Sequence, residues 1–272
     1  MTAIRMAAAL LILAATAWAQ ASDPVVVNGT LAKHAASGPL EREFAALGRD
    51  NADPYWVGYA VRGRARHSGD GCWDGRNNVR VTPIKLEGTT DLLVLYRVQN
   101  RQVERIQIAT ADCSFDVGAL TLHWLTNVSP GASLDWLATL TSANASQKVK
   151  NGAVVAIALH GDALAVDRLI ALAKDGRDRQ TRSAALFWIS QRAGERAAGT
   201  ITDAIERDPD TQVKRQAVFA LSQLPRGEGV TRLIDVAKNN RNPEVRKQAM
   251  FWLGQSQDPR ALAFFEEVLR AK

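Results

Sequence analysis

Residues 242–254 read Asn-Pro-Glu-Val-Arg-Lys-Gln-Ala-Met-Phe-Trp-Leu-Gly, and the same pattern stands over 210–222 as Asp-Thr-Gln-Val-Lys-Arg-Gln-Ala-Val-Phe-Ala-Leu-Ser. Two more copies open at Asp178 and Ser146, at the same spacing and without a gap. Val149, Thr181, Val213 and Val245 hold one register; Ala153, Ala185, Ala217 and Ala249 follow four places on, and Ile157, Ile189, Leu221 and Leu253 eight places on. Apolar residues at offsets 0, 4, 7 and 8 mark one face of a helix. Ser146, Asp178, Asp210 and Asn242 stand three places before each face opens and are preferred N-caps. A second helix follows in every unit, with Val166, Ala198, Val230 and Leu262 in register and Leu169, Ile201, Leu233 and Phe265 three places on.

Helix, turn and helix repeated at a fixed period predict an α-solenoid, in which each unit buries its apolar face against its neighbours. The ankyrin and tetratricopeptide signature strings are absent. Val245-Arg246, Ala249, Trp252-Leu253-Gly254 and Asp258-Pro259-Arg260-Ala261 resemble the short bacterial HEAT-like repeat, and the resemblance covers residues 145–272. It implies a fold and no activity. One family with similar repeats comprises lyases that attach bilins to phycobiliproteins, and no residue here carries that activity over. Leu134, Trp136, Leu137 and Leu140 suggest half a unit capping the array, and Glu266, in the register of Ile170 and Ile234, suggests a polar cap at the other end.

The stretch before the repeats reads as a small α+β domain. Leu40, Phe44 and Leu47 share a helical stripe after Ser37-Gly38-Pro39. Trp56–Val61, Leu92–Val98, Val103–Ala109 and Leu120–Trp124 are short, rich in β-branched and aromatic residues and bounded by turn formers, which predicts strands. Gln99-Asn100-Arg101 lies at hairpin distance between two of them, and Ser129-Pro130-Gly131 marks the junction with the array. A domain of this kind followed by such repeats resembles secreted bacterial HEAT-repeat proteins. The expected organisation is a signal peptide over 1–21, an α+β domain over 22–128 and a HEAT-like array over 129–272.

Arg5, the apolar run Met6–Ala15 and two Ala-x-Ala triplets ending at Ala19 and Ala21 predict a cleavable secretory signal. An uncleaved anchor is the alternative, although the run is shorter than the ~20 residues a bilayer requires. The address expected is therefore periplasmic or secreted, with no membrane span in the mature chain. Cys72 and Cys113 then meet an oxidising compartment and are expected to form one disulfide, since two distant thiols supply neither a redox CxxC pair nor a zinc site.

Charge is uneven. Residues 145–272 carry a net of +6, whereas residues 20–144 carry −1. A basic solenoid stripe can follow nucleic-acid phosphates. Secretion argues against that, and part of the excess recurs as Lys150, Arg182, Lys214 and Arg246, a ladder within the array itself.

No catalytic pattern stands out. His34, His67, His123 and His160 lie far apart in sequence, and no HExxH, GxSxG or P-loop string occurs. Gly69–Gly75 lacks the alternating acidic ligands of a calcium loop, and Gly227-Glu228-Gly229 follows no strand. The residues call for no metal and no cofactor. One apolar feature falls outside the core offsets, because Phe187, Phe219 and Phe251 recur at offset 6 among polar positions that include Gln191, Gln223, Gln255, Ser190 and Ser222. Such a ladder is either a solvent-facing strip for a partner or packing between neighbouring first helices, and packing is preferred because exposed Phe invites aggregation.

The functional expectation is a non-enzymatic module of the envelope or extracellular space that binds a protein or peptide partner through its repeats, with no nucleic acid involved. Its oligomeric state is unknown. The candidate surface is either the Phe ladder or a groove along the second helices lined by Arg168, Asp203, Arg232, Asp235 and Glu267. The alternative is an enzyme or accessory factor with a site in the N-terminal domain or at its junction with the array.

Overall fold

A computed structural model describes residues 23–63, 91–111, 113–142, 144–192 and 195–270. The expected signal peptide, Cys72 and the Gly69–Gly75 loop fall outside the described residues. A five-stranded sheet with one helix across it precedes nine consecutive helices among the described residues. The strands are β1 (Val25–Ala35), β2 (Tyr55–Arg62), β3 (Asp91–Gln99), β4 (Gln102–Thr110) and β5 (Ser114–Thr126), in the spatial order β1-β5-β2-β3-β4. β5 runs parallel to β1 and β2, and β2, β3 and β4 are antiparallel.

All four expected strands form. Asn100 and Arg101 both take positive φ (51° and 58°), so the β3–β4 connection is a two-residue turn whose twist suits a hairpin. β5 is longer than expected, because Gly118 and Ala119 at φ 66° and 62° kink its first half away from simple alternation. β1 alternates only at its ends, broken by the register shift between Val27 and Gly29: it is an edge strand with Val25 and Val27 exposed, and pairing with β5 holds it.

Side-chain alternation gives the sheet two apolar faces. Trp56, Leu93, Leu95, Phe115, Leu122 and Trp124 pack on one. Val57, Tyr59, Val94 and Tyr96 face the helices and share one continuous core with them. α1 (Leu40–Asp50) buries Leu40, Phe44 and Leu47 as its stripe predicts. Phe44 meets Tyr96 edge-on at 5.0 Å between ring centroids and also touches Trp136 of α2 (Pro130–Ser142). Tyr59 hydroxyl bonds Tyr96 hydroxyl at 2.6 Å and Ser133 Oγ at 3.0 Å, which satisfies three buried polar groups where sheet and helices meet.

The repeats then follow as pairs: α3 (Gln147–Leu159) with α4 (Leu164–Asp175), α5 (Arg179–Ser190) with α6 (Glu195–Arg207), α7 (Thr211–Ser222) with α8 (Val230–Asn239), and α9 (Pro243–Gly254) with α10 (Pro259–Arg270). All four expected caps work, since Ser146, Asp178, Asp210 and Asn242 each accept a backbone N–H of the first turn. The offset 0, 4 and 8 residues of the first helices are buried throughout.

Several expectations need correction. Offset 5, given no role by a single-face reading, is buried as Val154, Leu186 and Val218, because an interior first helix is flanked on both sides and hides more than one face. Ser190, expected to face solvent, is fully buried and donates its hydroxyl to Phe187 carbonyl at 2.6 Å. At the end of the array Glu266 is exposed as expected, yet α10 also leaves Leu262 and Leu269 at 64% and 70% exposure, so the last helix is not a polar cap. In α10 Ala261 is buried, as Ala165 and Ala197 are at the same position of α4 and α6, whereas the next core position moves to Phe264, one residue earlier than Leu169, Ile201 and Leu233.

Candidate functional site

The array presents two helical faces, and they differ in how far their polar groups are engaged within the chain. On the second helices the charged residues bridge repeats. Arg168 pairs with Asp135 of α2, Arg196 with Asp167 at 2.5 Å, and Lys238 with both Glu267 oxygens at 2.9 and 3.0 Å. Asp235 accepts from Asn239 Nδ2 at 2.7 Å, Asp203 is half-buried, and Arg232 is engaged within the chain. The expected second-helix groove is thus a face whose charges largely answer one another.

The basic ladder is likewise internal. Arg182 makes a two-point contact with Asp208, Nε at 2.7 Å and Nη2 at 3.1 Å, with side chains only 12% and 5% exposed. Those bonds hold the guanidinium above its ordinary pKa. Lys150 reaches Asp178, the cap of the next repeat, at 3.4 Å. Lys214 donates to Glu206 carbonyl and Arg246 to Asn240 carbonyl. This ladder ties the end of one unit to the start of the next.

The first helices differ. A groove of about 470 Å³ runs over α3, α5 and the start of α7. Val155 and Trp188 supply its apolar floor, and Ala184 keeps it open. Gln180, Ser183, Gln212 and Gln216 line it, and these side chains make no hydrogen bond among the described residues. Arg179 enters with 60% of its side chain exposed and Asp210 no nearer than 4.0 Å. Beyond the groove, Arg215 bonds Gln248 across to α9.

The Phe ladder borders this groove, and its rungs have different fates. Phe187 and Phe219 are half-buried and stack with planes 4° apart and centroids at 6.2 Å. Phe219 continues onto Trp252 at 4.9 Å, and Phe251 meets Trp252 edge-on but stays 55% exposed. Packing between neighbouring first helices accounts for the first two rungs, and the last is open. Val155 holds the same offset in the first repeat, so the groove floor continues the ladder line.

The described titratable groups of the sheet domain do not converge on a cleft. His34 and His123, 89 residues apart, are brought together by the parallel β1–β5 pair, with His34 Nε2 and His123 Nδ1 at 3.0 Å. Sequence spacing gives no sign of that pairing. Burial, then the neighbouring His34, lowers the pKa of His123. His160 closes α3, is 1% exposed and is pushed down to about 4 by burial. A second groove at the junction holds Glu41 and Asp135, and Asp135 is already bonded to Arg168. No group of three or more metal-ligating side chains occurs among the described residues. Cys113 is buried with its sulfur 3.4 Å from Thr110 Oγ1, and its expected partner lies outside the described residues. No described helix is long and apolar enough to cross a membrane.

Residues 200–272 match the family model of HEAT repeats. No curated protein sequence matches the chain. Among solved structures the chain resembles one in the complex of CpcE and CpcF of phycocyanin lyase from Nostoc sp. PCC7120, at 18% identity and TM-score 0.40, covering 52% of this chain and 91% of that one. It also resembles human deoxyhypusine hydroxylase in complex with glycerol, at 18% identity and TM-score 0.37, covering 49% of this chain and 43% of the enzyme. The architecture is thus an N-terminal five-stranded sheet followed by a HEAT-like run of helices.

Proposed function

We propose that this chain is a non-catalytic protein-binding module of the bacterial envelope or extracellular space, with the helical array as its interaction surface. The observation that carries the reading is the contrast between the two faces: Arg168, Arg196 and Lys238 of the second helices pair within the molecule, whereas the first-helix groove keeps Gln180, Gln212, Gln216, its Trp and the largely exposed Arg179 available. Unanswered hydrogen-bonding groups beside an aromatic floor are the composition of a recognition surface. The leader-like N-terminus supports the location. Lysine-directed cross-linking in a native envelope preparation, read by mass spectrometry, tests this. Partner cross-links should gather on array lysines such as Lys148, Lys214 and Lys247. Cross-links confined to lysines that precede the array, such as Lys33, would place the interaction on the sheet domain and overturn the reading.

A further inference from the structure

We infer that the first-helix groove binds an extended polypeptide segment carrying acidic side chains; this rests on the binding role proposed above and names the chemistry of its partner. Three observations converge. The first concerns shape. The groove crosses three successive first helices, α3, α5 and α7, rather than running along one. An extended strand rises about 3.3 Å per residue, so a short segment laid across the helices reaches all three.

The second concerns hydrogen bonding. Gln180, Gln212 and Gln216 come from two repeats and are unengaged among the described residues. A carboxamide offers a donor and an acceptor together, which is what a peptide unit needs once its own N–H and C=O leave water. A folded surface whose backbone is already paired would leave these amides unanswered, at a cost for every one desolvated.

The third is charge. Arg179 lines the groove, and Lys148 holds on α3 the register that Gln180 and Gln212 hold in the groove; beyond it Arg215 and Lys247 continue the basic row along the first helices, against Glu244 as the acidic counterpart at those positions. Arg179 has only a distant carboxylate, and Lys148 and Lys247 are exposed. An anionic strand is attracted and a basic one repelled. Trp188 then offers its half-exposed ring to an apolar side chain between the acids.

The test is fluorescence anisotropy on the mature chain with labelled dodecapeptides of alternating Glu and Val/Thr, the same peptide with Gln for Glu, the same with Lys, a Glu/Ala peptide that folds as a helix, and a labelled oligothymidylate as a bare polyanion. The extended Glu peptide should bind about tenfold more tightly than the Gln version, and the Lys version more weakly still. Trp188→Ala should weaken it about tenfold, as should Arg179→Gln, an exposed substitution that leaves the fold intact. Arg168→Glu, on the second-helix face, should change nothing. Equal affinity for the Glu and Gln peptides, preference for the helical peptide, or oligothymidylate binding as tightly with no response to Trp188→Ala would each overturn the inference. If the Glu peptide fails to bind while envelope cross-links still gather on the array, the binding module stands and its assigned ligand falls; if both fail, both readings fall.

Discussion

Phe187 and Phe219 lie one repeat apart with ring planes 4° from parallel, so a position that a single helix would assign to solvent becomes a contact between helices. Phe251, at the same position in the last repeat, has no following repeat among the described residues and remains 55% exposed. The ladder therefore makes a graded prediction. Phe219→Ala should lower unfolding free energy by about 2 kcal/mol, less than a fully buried Phe because the ring is half-buried. Phe251→Ala should cost less than about 1 kcal/mol. Urea midpoints of the two variants check this, and equal losses would show that Phe251 is covered in solution.

Arg182 and Asp208 predict a different kind of loss. Removing the guanidinium leaves a carboxylate that is 5% exposed with its strongest partner gone. Arg182→Met should therefore cost about 3 to 5 kcal/mol. Arg182→Met with Asp208→Leu should recover much of it, because neither charge then remains buried alone, although Asp208 also caps the Asp210 N–H at 2.9 Å. A double-mutant cycle read by chemical denaturation decides, and additive losses would mean that the pair is not coupled.

Both caps and core of the repeats could be read from residue types alone, since Asp178 and Val213 need only local geometry to find their places. The His34–His123 contact could not, because it depends on two strands meeting in parallel across 89 residues and one of them, β1, has only a broken alternation to announce it. The same holds for the groove. Gln180 and Gln216 look like ordinary solvated glutamines in sequence, and only the neighbouring helix shows that they share a floor with Trp188. Offset 5 is hidden for a related reason: a one-helix periodicity counts one buried face, and a helix inside a stack has more.

Acid should weaken the fold through His160. Its folded-state pKa is lowered from 6.5 to about 4, chiefly by burial, so above pH 6.5 neither state holds the proton and the full stability is present. As pH falls from 6.5 toward about 4, the unfolded chain takes up a proton that the folded one refuses, and stability drops by up to about 3 kcal/mol before levelling off. His123 shifts in the same direction. Denaturation midpoints at pH 7.5 and 4.5 should differ more for the parent than for His160→Gln. An unchanged pH slope in that variant would show that His160 is not the responsible group.

Cys113 is buried, and pairing with Cys72 would close a long loop across the sheet domain. The chain-entropy model assigns a loop of roughly 40 residues about 4 kcal/mol. Non-reducing peptide mapping of the native protein should show one linked peptide pair. Two thiols alkylated in the native protein would exclude the bond, and Cys113→Ser should then cost only the change in a buried side chain.

Gly152 of α3 tests how the array is seated on the sheet. A Cβ there would stand 3.0 Å from Ile106 Cβ of β4, closer than ordinary van der Waals contact, and both partners belong to regular elements that do not yield freely. Within a helix, Gly→Ala ordinarily gains about 1 kcal/mol. Overpacking a close contact ordinarily costs about 1 to 3 kcal/mol. Because the obstructing atom is a Cβ, which no rotamer change can move aside, the steric term should win and Gly152→Ala should destabilise by about 1 kcal/mol. Trimming the isoleucine changes neither its Cβ nor its backbone but frees the strand to shift by removing the γ and δ carbons. Gly152→Ala should therefore cost less in an Ile106→Ala background than alone, and helix propensity should begin to show. If Gly152→Ala stabilises the parent outright, α3 does not press on β4 in solution, and the helices ride on the sheet more loosely than this contact requires.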